Sequence, residues 1–272
     1  MVIMSRMDNS LGTRCKICSS GVKFIFQREI LKKYPVKYFH CQNCGFIQTE
    51  APFWLKEAYC DVINAYDTGI LARNISFSKF TTNFLFYQFG RKSQFLDYGG
   101  GYGIFTRLMR DIGFDFYLFD PQCPNLFARG FEFNPKMNKI TAITAWECFE
   151  HFVEPMEDLK KMVSISGNIL FSTELLPEKI PNPETWLYYG FEHGQHISFY
   201  SHQTLEHMAR KFDLNFYSQN NIHFFSENKI NSSLFKILWY LSHWGLDSIV
   251  KCALNSKTHE DMEVNIKLFN KI

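Results

Sequence analysis

Two short cysteine pairs stand near the start of the chain, Cys15-x2-Cys18 and Cys41-x2-Cys44. Each makes a tight knuckle that aims two thiolates at one point. Together they offer four sulfurs in tetrahedral array, the shell that structural zinc prefers. A closed four-sulfur shell leaves no coordination position open, so the metal's role is structural. Gly45 relieves the turn after the second pair, and four sulfurs suffice without the adjoining His40. A redox pair or an iron site are the other uses of such spacing. With no secretory leader visible in MVIMSRMDNS, paired CxxC units point to metal in a reducing compartment rather than to disulfides, and so to a cytoplasmic protein.

A second chemistry is written in FLDYGGGYGIFTRLM, residues 95–109, where Asp97 precedes Gly99, Gly100, Gly101 and Gly103. Glycines let a ligand approach bare backbone and permit unusual backbone angles. A phosphate loop needs Gly-Lys-Ser/Thr here, but the chain has Gly103-Ile104-Phe105. A dinucleotide turn needs GxGxxG, and the third position falls on Ile104 or Thr106. What remains is a strand ending in an acid, followed by GxGxG. Further on, YLFDP ends in Asp120. A carboxylate at the end of the second strand is placed to accept two hydrogen bonds from a ribose diol.

These residues need elements to position them. Apolar alternation at 22–26 and 36–39 predicts short strands beside the cysteines, and 52–90 is helical in pattern. From residue 94 strands are expected at 94–98, 116–119, 140–144 and 168–173, with helices at 105–112 and 155–164. That alternation means parallel strands joined by crossover helices. A helix at 201–212, capped by Ser201, and strands at 214–218 and 222–226 follow. The expected fold class is α/β: a doubly wound, Rossmann-like, mostly parallel sheet with a small N-terminal zinc-binding unit. The expected divisions are 1–50 (zinc unit), 51–90 (helical lead-in), 91–230 (ligand-binding domain) and 231–272 (helical tail).

Composition bounds the rest. With 46% hydrophobic and 21% charged residues the chain is an ordinary globular protein, and its net charge of +2 gives no footprint for nucleic acid. No run of about 18 apolar residues predicts a membrane span. The tail SLFKILWYLSHWGLDSIVKCAL, 233–254, would form a helix apolar around much of its girth, broken at Gly245. It suits packing on the domain, on another subunit, or on a membrane surface.

The acid-then-GxGxG turn resembles motif I of class I S-adenosylmethionine (SAM)-dependent methyltransferases. SAM carries no phosphate and asks for no lysine, while its amino group and sulfonium favour a nearby carboxylate. ITAITAWECFEHFVEP, 140–155, resembles the segment after the fourth strand of one subgroup, matching at Glu147, Glu150, His151 and Pro155. FSTELLP at 171–177 and HISFYSHQTLEHMARKFDL at 196–214 resemble that subgroup's later segments. With the cysteine unit in front, the chain resembles sugar C- and O-methyltransferases, although those are usually longer.

The resemblance implies cofactor contacts at Asp97, Gly99, Gly101, Gly103, Asp120, Trp146, Glu147 and Tyr66, with zinc on Cys15, Cys18, Cys41 and Cys44. It implies methyl transfer to a sugar or other small molecule, on oxygen or carbon. The acceptor must lose a proton, and histidine titrates in the right range. His196 matches the family's base histidine, although Gln195 stands where the family has Glu; Glu192 and His193 lie nearby. His151, expected at the carboxyl edge of the sheet, is the second catalytic candidate. The rival reading is a non-catalytic scaffold that uses the zinc unit for partner contacts. Cys60, Cys123 and Cys148 read as packed thiols.

Overall fold

The computed structural model describes residues 14–60, 63, 67–136 and 139–270. The chain divides into two compact units that interleave in sequence. One comprises Met1–Cys60, Glu150–Asp158 and Glu174–Lys211; the other comprises Asp61–Phe149, Leu159–Thr173 and Phe212–Ile272.

The first unit is built on a four-stranded antiparallel sheet. Strands β1 (Lys23–Ile30), β2 (Tyr34–His40) and β3 (Ile47–Thr49) are followed by a one-turn helix, α1 (Leu55–Ala58). The sheet order is β1-β2-β3-β8, with β8 the two-residue Ser198–Phe199. Neither β3 nor β8 is long enough to show alternation, so neither has a signature in the residue pattern. Ile30, Val36, Tyr38, Ile47, Trp54, Tyr189, Ile197 and Phe199 form this unit's core. The Trp54 indole donates to Gly194 O at 2.8 Å, so its one polar atom is satisfied inside.

The second unit carries the mixed sheet. Its elements in chain order are α2 (Ile70–Phe89), β4 (Gln94–Tyr98), α3 (Ile104–Ile112), β5 (Asp115–Phe119), β6 (Ala142–Ala145), α4 (Pro155–Ile165) and β7 (Ile169–Ser172). Helix α5 (His202–Lys211) belongs to the first unit, and β9 (Asn215–Gln219), β10 (Ile222–Ser226), α6 (Ser232–Ser242), α7 (Leu246–Cys252) and α8 (Thr258–Phe269) complete the second. The strand order is β5-β4-β6-β7-β10-β9. Strands β5, β4, β6 and β7 run parallel, and β10 is antiparallel to both its neighbours. Beyond β5 the edge is reduced to one isolated parallel bridge, Leu118 to Glu132.

All residues of β6 and β7 are buried, the pattern of parallel strands covered on both faces. The phenylalanines supply the cover. Phe77, Phe80 and Phe84 of α2 pack with Phe95 of β4, Phe105 of α3, Phe224 of β10 and Phe235 of α6. Each such ring contributes about 1.5–3 kcal/mol by leaving water. The expected elements from β4 to β10 are present within a few residues. Helix α8 falls in the expected helical tail, and its inward contact is polar: Asp261 accepts from Arg110 of α3 at 2.8 and 2.6 Å.

Candidate functional site

The glycine turn joins β4 to α3 at the carboxyl end of the sheet. From β4 the chain goes to β5 on one side, while β6 lies on the other. The strand order therefore reverses at β4, and open α/β sheets bind ligands at that crevice. Gly99, Gly101 and Gly103 all have positive φ. At Gly101 (φ +58°) the left-handed backbone is what glycine permits, and a Cβ there would meet no atom within 4 Å, so open space lies beside it. Gly101 N–H donates to Asp120 Oδ2 at 2.8 Å. Asp120 Oδ1 accepts from the N–H groups of Gln122 and Cys123 at 2.8 and 2.9 Å. Asp120 thus ties the glycine turn to the end of β5 while staying partly exposed.

Asp97 lies under this turn rather than at its mouth. It is 1% exposed. Thr106 of α3 donates to its Oδ2 at 2.9 Å and Thr144 of β6 to its Oδ1 at 3.1 Å. Burial pushes its pKa up to about 7; the two hydroxyls pull the other way, and Asp120 adds a little upward. The neighbouring Gly100 is a requirement that motif reasoning passed over, since a Cβ there would collide with Asp97 Oδ2 and Leu118 Cδ1.

At the end of β6 the chain presents Trp146, Glu147 and Cys148. Trp146 stacks on Phe77 at 4.4 Å, and its buried indole N–H has no hydrogen-bond partner among the described residues. Glu147 has φ +48°, uncommon for a residue with a side chain. Ser172 of β7 holds it there: Glu147 N–H donates to Ser172 Oγ at 2.8 Å, and that hydroxyl donates to Glu147 Oε1 at 2.5 Å. Cys148 Sγ stands 2.8 Å from where a Cβ on Gly99 would be, so the two loops meet closely. Tyr66 lies outside the described residues.

The second group of chemistry-bearing side chains lies in the first unit. Glu150, His151 and His196 offer ligand atoms that all fall within 4.8 Å of one another. His196 Nδ1–H donates to Tyr188 O at 2.6 Å, so in the neutral ring Nε2 is the basic nitrogen. His151 Nδ1 lies 3.1 Å from Gln195 O and 3.0 Å from Tyr59 Oη. Burial depresses its pKa to about 4, partly offset by the Gln195 hydrogen bond, so it is neutral at physiological pH. The Gln195 side chain turns away, donating to Ala58 O at 2.8 Å. The His193 ring is 4.8 Å from that of His196, and Glu192 is exposed. The histidines are legible in the sequence, but the contacts that orient them are not. Tyr188, Gln195 and Tyr59 act through backbone carbonyls and one hydroxyl, which no residue pattern announces.

The four cysteines converge as their spacing implies. Their sulfurs lie within 4.8 Å of one another, with Cys15 to Cys44 and Cys18 to Cys41 each at 3.5 Å. Four ligands about 2.3 Å from a zinc ion would sit about 3.8 Å apart, so small adjustments seat the metal. Matching backbone turns shape the knuckles, with Ser19 N–H donating to Cys15 O and Gly45 N–H to Cys41 O. The hydrogen bond between Cys15 and Cys44 holds the Cys15 pKa down to about 5, while Cys44's own is pushed up. Thiolates are what the metal needs. His40 is not in the cluster. Cys60 is exposed, not packed as expected, because it follows the C-cap of a single-turn helix.

Residues 72–219, more than half of the chain, match a family model described as a methyltransferase domain. Among solved structures the chain is similar to TnmH, with 16% identity over 64% of this chain and 60% of that one (TM-score 0.41). It is similar to an O-methyltransferase family 2 protein from Planctomyces limnophilus in complex with apigenin, with 14% identity over 63% and 64% (TM-score 0.39). It is also similar to magnesium protoporphyrin IX methyltransferase from Synechocystis with bound SAH, with 10% identity over 63% and 92% (TM-score 0.43). The chain spans less than two thirds of the length of the first two. The comparison with curated proteins gave no match.

Proposed function

Because the chain belongs to the methyltransferase-domain family, we propose that it moves the methyl group of SAM to an oxygen or carbon of a small, sugar-bearing acceptor. The observation that supports this most is the glycine turn at the reversal of strand order, with open space beside Gly101 and the Asp120 carboxylate at its edge. The residues fit the cofactor: backbone without side chains for the methionine and ribose portions, and the remaining acceptor site on Asp120 Oδ2 for a ribose hydroxyl. Trp146 and Glu147 wall the same end of the sheet. Asp97 serves from beneath, anchoring the turn through Thr106 and Thr144.

SAM, when bound, supplies a methyl group already activated by its sulfonium. The chain's own residues then have two tasks. They orient the acceptor, and they take the proton it loses. In this reading His196 accepts that proton at Nε2, since its Nδ1–H is committed to Tyr188 O. His151, neutral and half-buried beside it, orients the acceptor. The cysteine cluster holds a structural zinc ion and takes no part in the transfer.

Calorimetric titration with SAM tests the cofactor half, with micromolar binding expected and no binding at millimolar cofactor rejecting it. Mass spectrometry of a nucleotide-sugar panel incubated with protein and SAM tests the acceptor half. His196→Gln is expected to lower kcat at least about 100-fold while leaving the SAM affinity unchanged. Unchanged kcat would remove His196 as the base.

A further inference from the structure

The first unit holds a second cluster with metal-ligand chemistry, apart from the four cysteines. Glu150 and His151 stand on the single 3-10 turn Phe149–His151, and His196 comes from a distant segment of the same unit. Their ligand atoms all fall within 4.8 Å of one another. Nitrogen and oxygen ligands about 2.1 Å from one ion stand about 3.0–3.5 Å apart, so shifts of about 1 Å seat a cation.

Both imidazoles are held as metal ligands are. His196 Nδ1–H donates to Tyr188 O at 2.6 Å. His151 Nδ1 lies 3.1 Å from Gln195 O and 3.0 Å from Tyr59 Oη; a carbonyl only accepts, so this nitrogen carries the hydrogen. In each neutral ring Nε2 is then the nitrogen with the lone pair. A ligating histidine gives its other N–H to a carbonyl, carboxylate or water, which fixes ring and tautomer. Here two neighbouring histidines do so, both to backbone carbonyls, whose positions the fold sets.

The backbone around them is tied down. Ile197 N–H donates to Glu150 O at 2.9 Å, and Ser198 Oγ donates to Phe152 O at 2.8 Å. Gln195, itself buried, is anchored by donating to Ala58 O at 2.8 Å. These bonds clamp the 150–152 turn to the 195–198 segment, so the three side chains start from one frame. Glu150 is 0% exposed, which puts its carboxylate out of water, where attraction for a cation is least screened. Two imidazoles and one carboxylate suit zinc, cobalt or iron in the divalent state, whereas magnesium and calcium take oxygen ligands. Three protein ligands also leave coordination positions open, unlike the closed four-sulfur shell.

We infer that Glu150, His151 and His196 form a second metal site, one that takes a divalent transition ion. Binding follows from this cluster alone. Its consequence rests on the methyl-transfer reading: the ion occupies Nε2 of His196, the atom that takes the acceptor's proton in that reading, so a loaded site does not transfer methyl groups.

The test is titration with Co2+ of the full chain, its four-cysteine site filled with zinc. A second metal equivalent is expected, with the weak visible bands of nitrogen and oxygen ligation and without the intense sulfur-to-cobalt band. Glu150→Gln and His196→Gln are each expected to weaken it at least about 100-fold. Zinc retained on the cysteines of each variant shows that the unit still folds. No second equivalent at ~1 mM Co2+ overturns the site, as does a second equivalent that carries the sulfur band, or variants that bind as tightly as the native chain. With nucleotide-sugar acceptors, loading the site is expected to lower kcat at least about 100-fold; an unchanged rate overturns the exclusion of methyl transfer. The cobalt spectrum reads binding whether or not an acceptor is methylated, so the two readings fail separately.

Discussion

Replacing Asp97 with asparagine isolates the cost of a buried charge beneath the glycine turn. The carboxylate is 1% exposed, and two threonine hydroxyls are its partners. Its pKa is about 7 in the folded chain against an ordinary 3.8. Between those values the folded state holds a proton that the unfolded state has released, so this group's contribution to stability is full at low pH and is lost as pH rises through 7. Linkage gives about 1.4 kcal/mol per pH unit, and from about pH 5.5 the loss runs for roughly 1.5 units, so this group alone costs about 2 kcal/mol by about pH 8.5. Asparagine carries no charge and removes that dependence. Urea unfolding of the two proteins at both pH values is the assay. The stability difference, variant minus native, is expected to shift by about 2 kcal/mol in the variant's favour between the lower and the higher pH. A difference that is the same at both pH values would show that Asp97 ionises without penalty, and the account of a buried anchor would fail.

Other outcomes follow from the same geometry. Asp120→Ala frees Gly101 N–H and removes the acceptor for a ribose hydroxyl, so calorimetry is expected to show SAM affinity down about 10- to 100-fold, or about 1.4–3 kcal/mol. Metal analysis of the native chain is expected to give one zinc per chain; Cys15→Ser should lose it and open the 14–60 segment to protease, as chelator would. Asp261→Ala leaves Arg110, 3% exposed, with only Asp115 and Phe116 O, and is expected to cost about 3 kcal/mol in urea unfolding. Arg110→Met in the same background is expected to restore part of that loss; a double variant no better than the single one would contradict a charge-based cause. His151, whose pKa falls to about 4, makes folding less stable as pH drops from about 6.5 toward 4, and His151→Gln is expected to flatten that limb of an acid titration.

Much of the molecule was legible because it rests on local chemistry. The CxxC spacing brings sulfurs together through backbone turns only a few residues long. Strands β4 to β7 and helices α3 and α4 show themselves through buried apolar patterns. The glycine turn shows itself through residues whose backbone angles few others adopt. What stayed hidden depends on groups far apart in sequence. Strand β8 exists only through its pairing with the distant β3, and β3 is too short to show a pattern of its own. Asp97 is a clear motif residue, yet whether it faces a ligand or the core was settled by Thr106 and Thr144 on two other elements. A lone hydroxyl in a buried apolar strand, as at Thr144, was the one available hint. Helix α8 is held by an ion pair that no periodicity records. His151 and His196 could each be suspected alone, but their rings lie 5.0 Å apart, oriented by carbonyls from Gln195 and Tyr188. Sequence determines what each stretch of backbone favours under its own steric and hydrophobic pattern. Which side chains meet, and what those meetings do to charge and protonation, was decided only when the chain closed on itself, because those energies belong to pairs brought together from distant parts of the sequence.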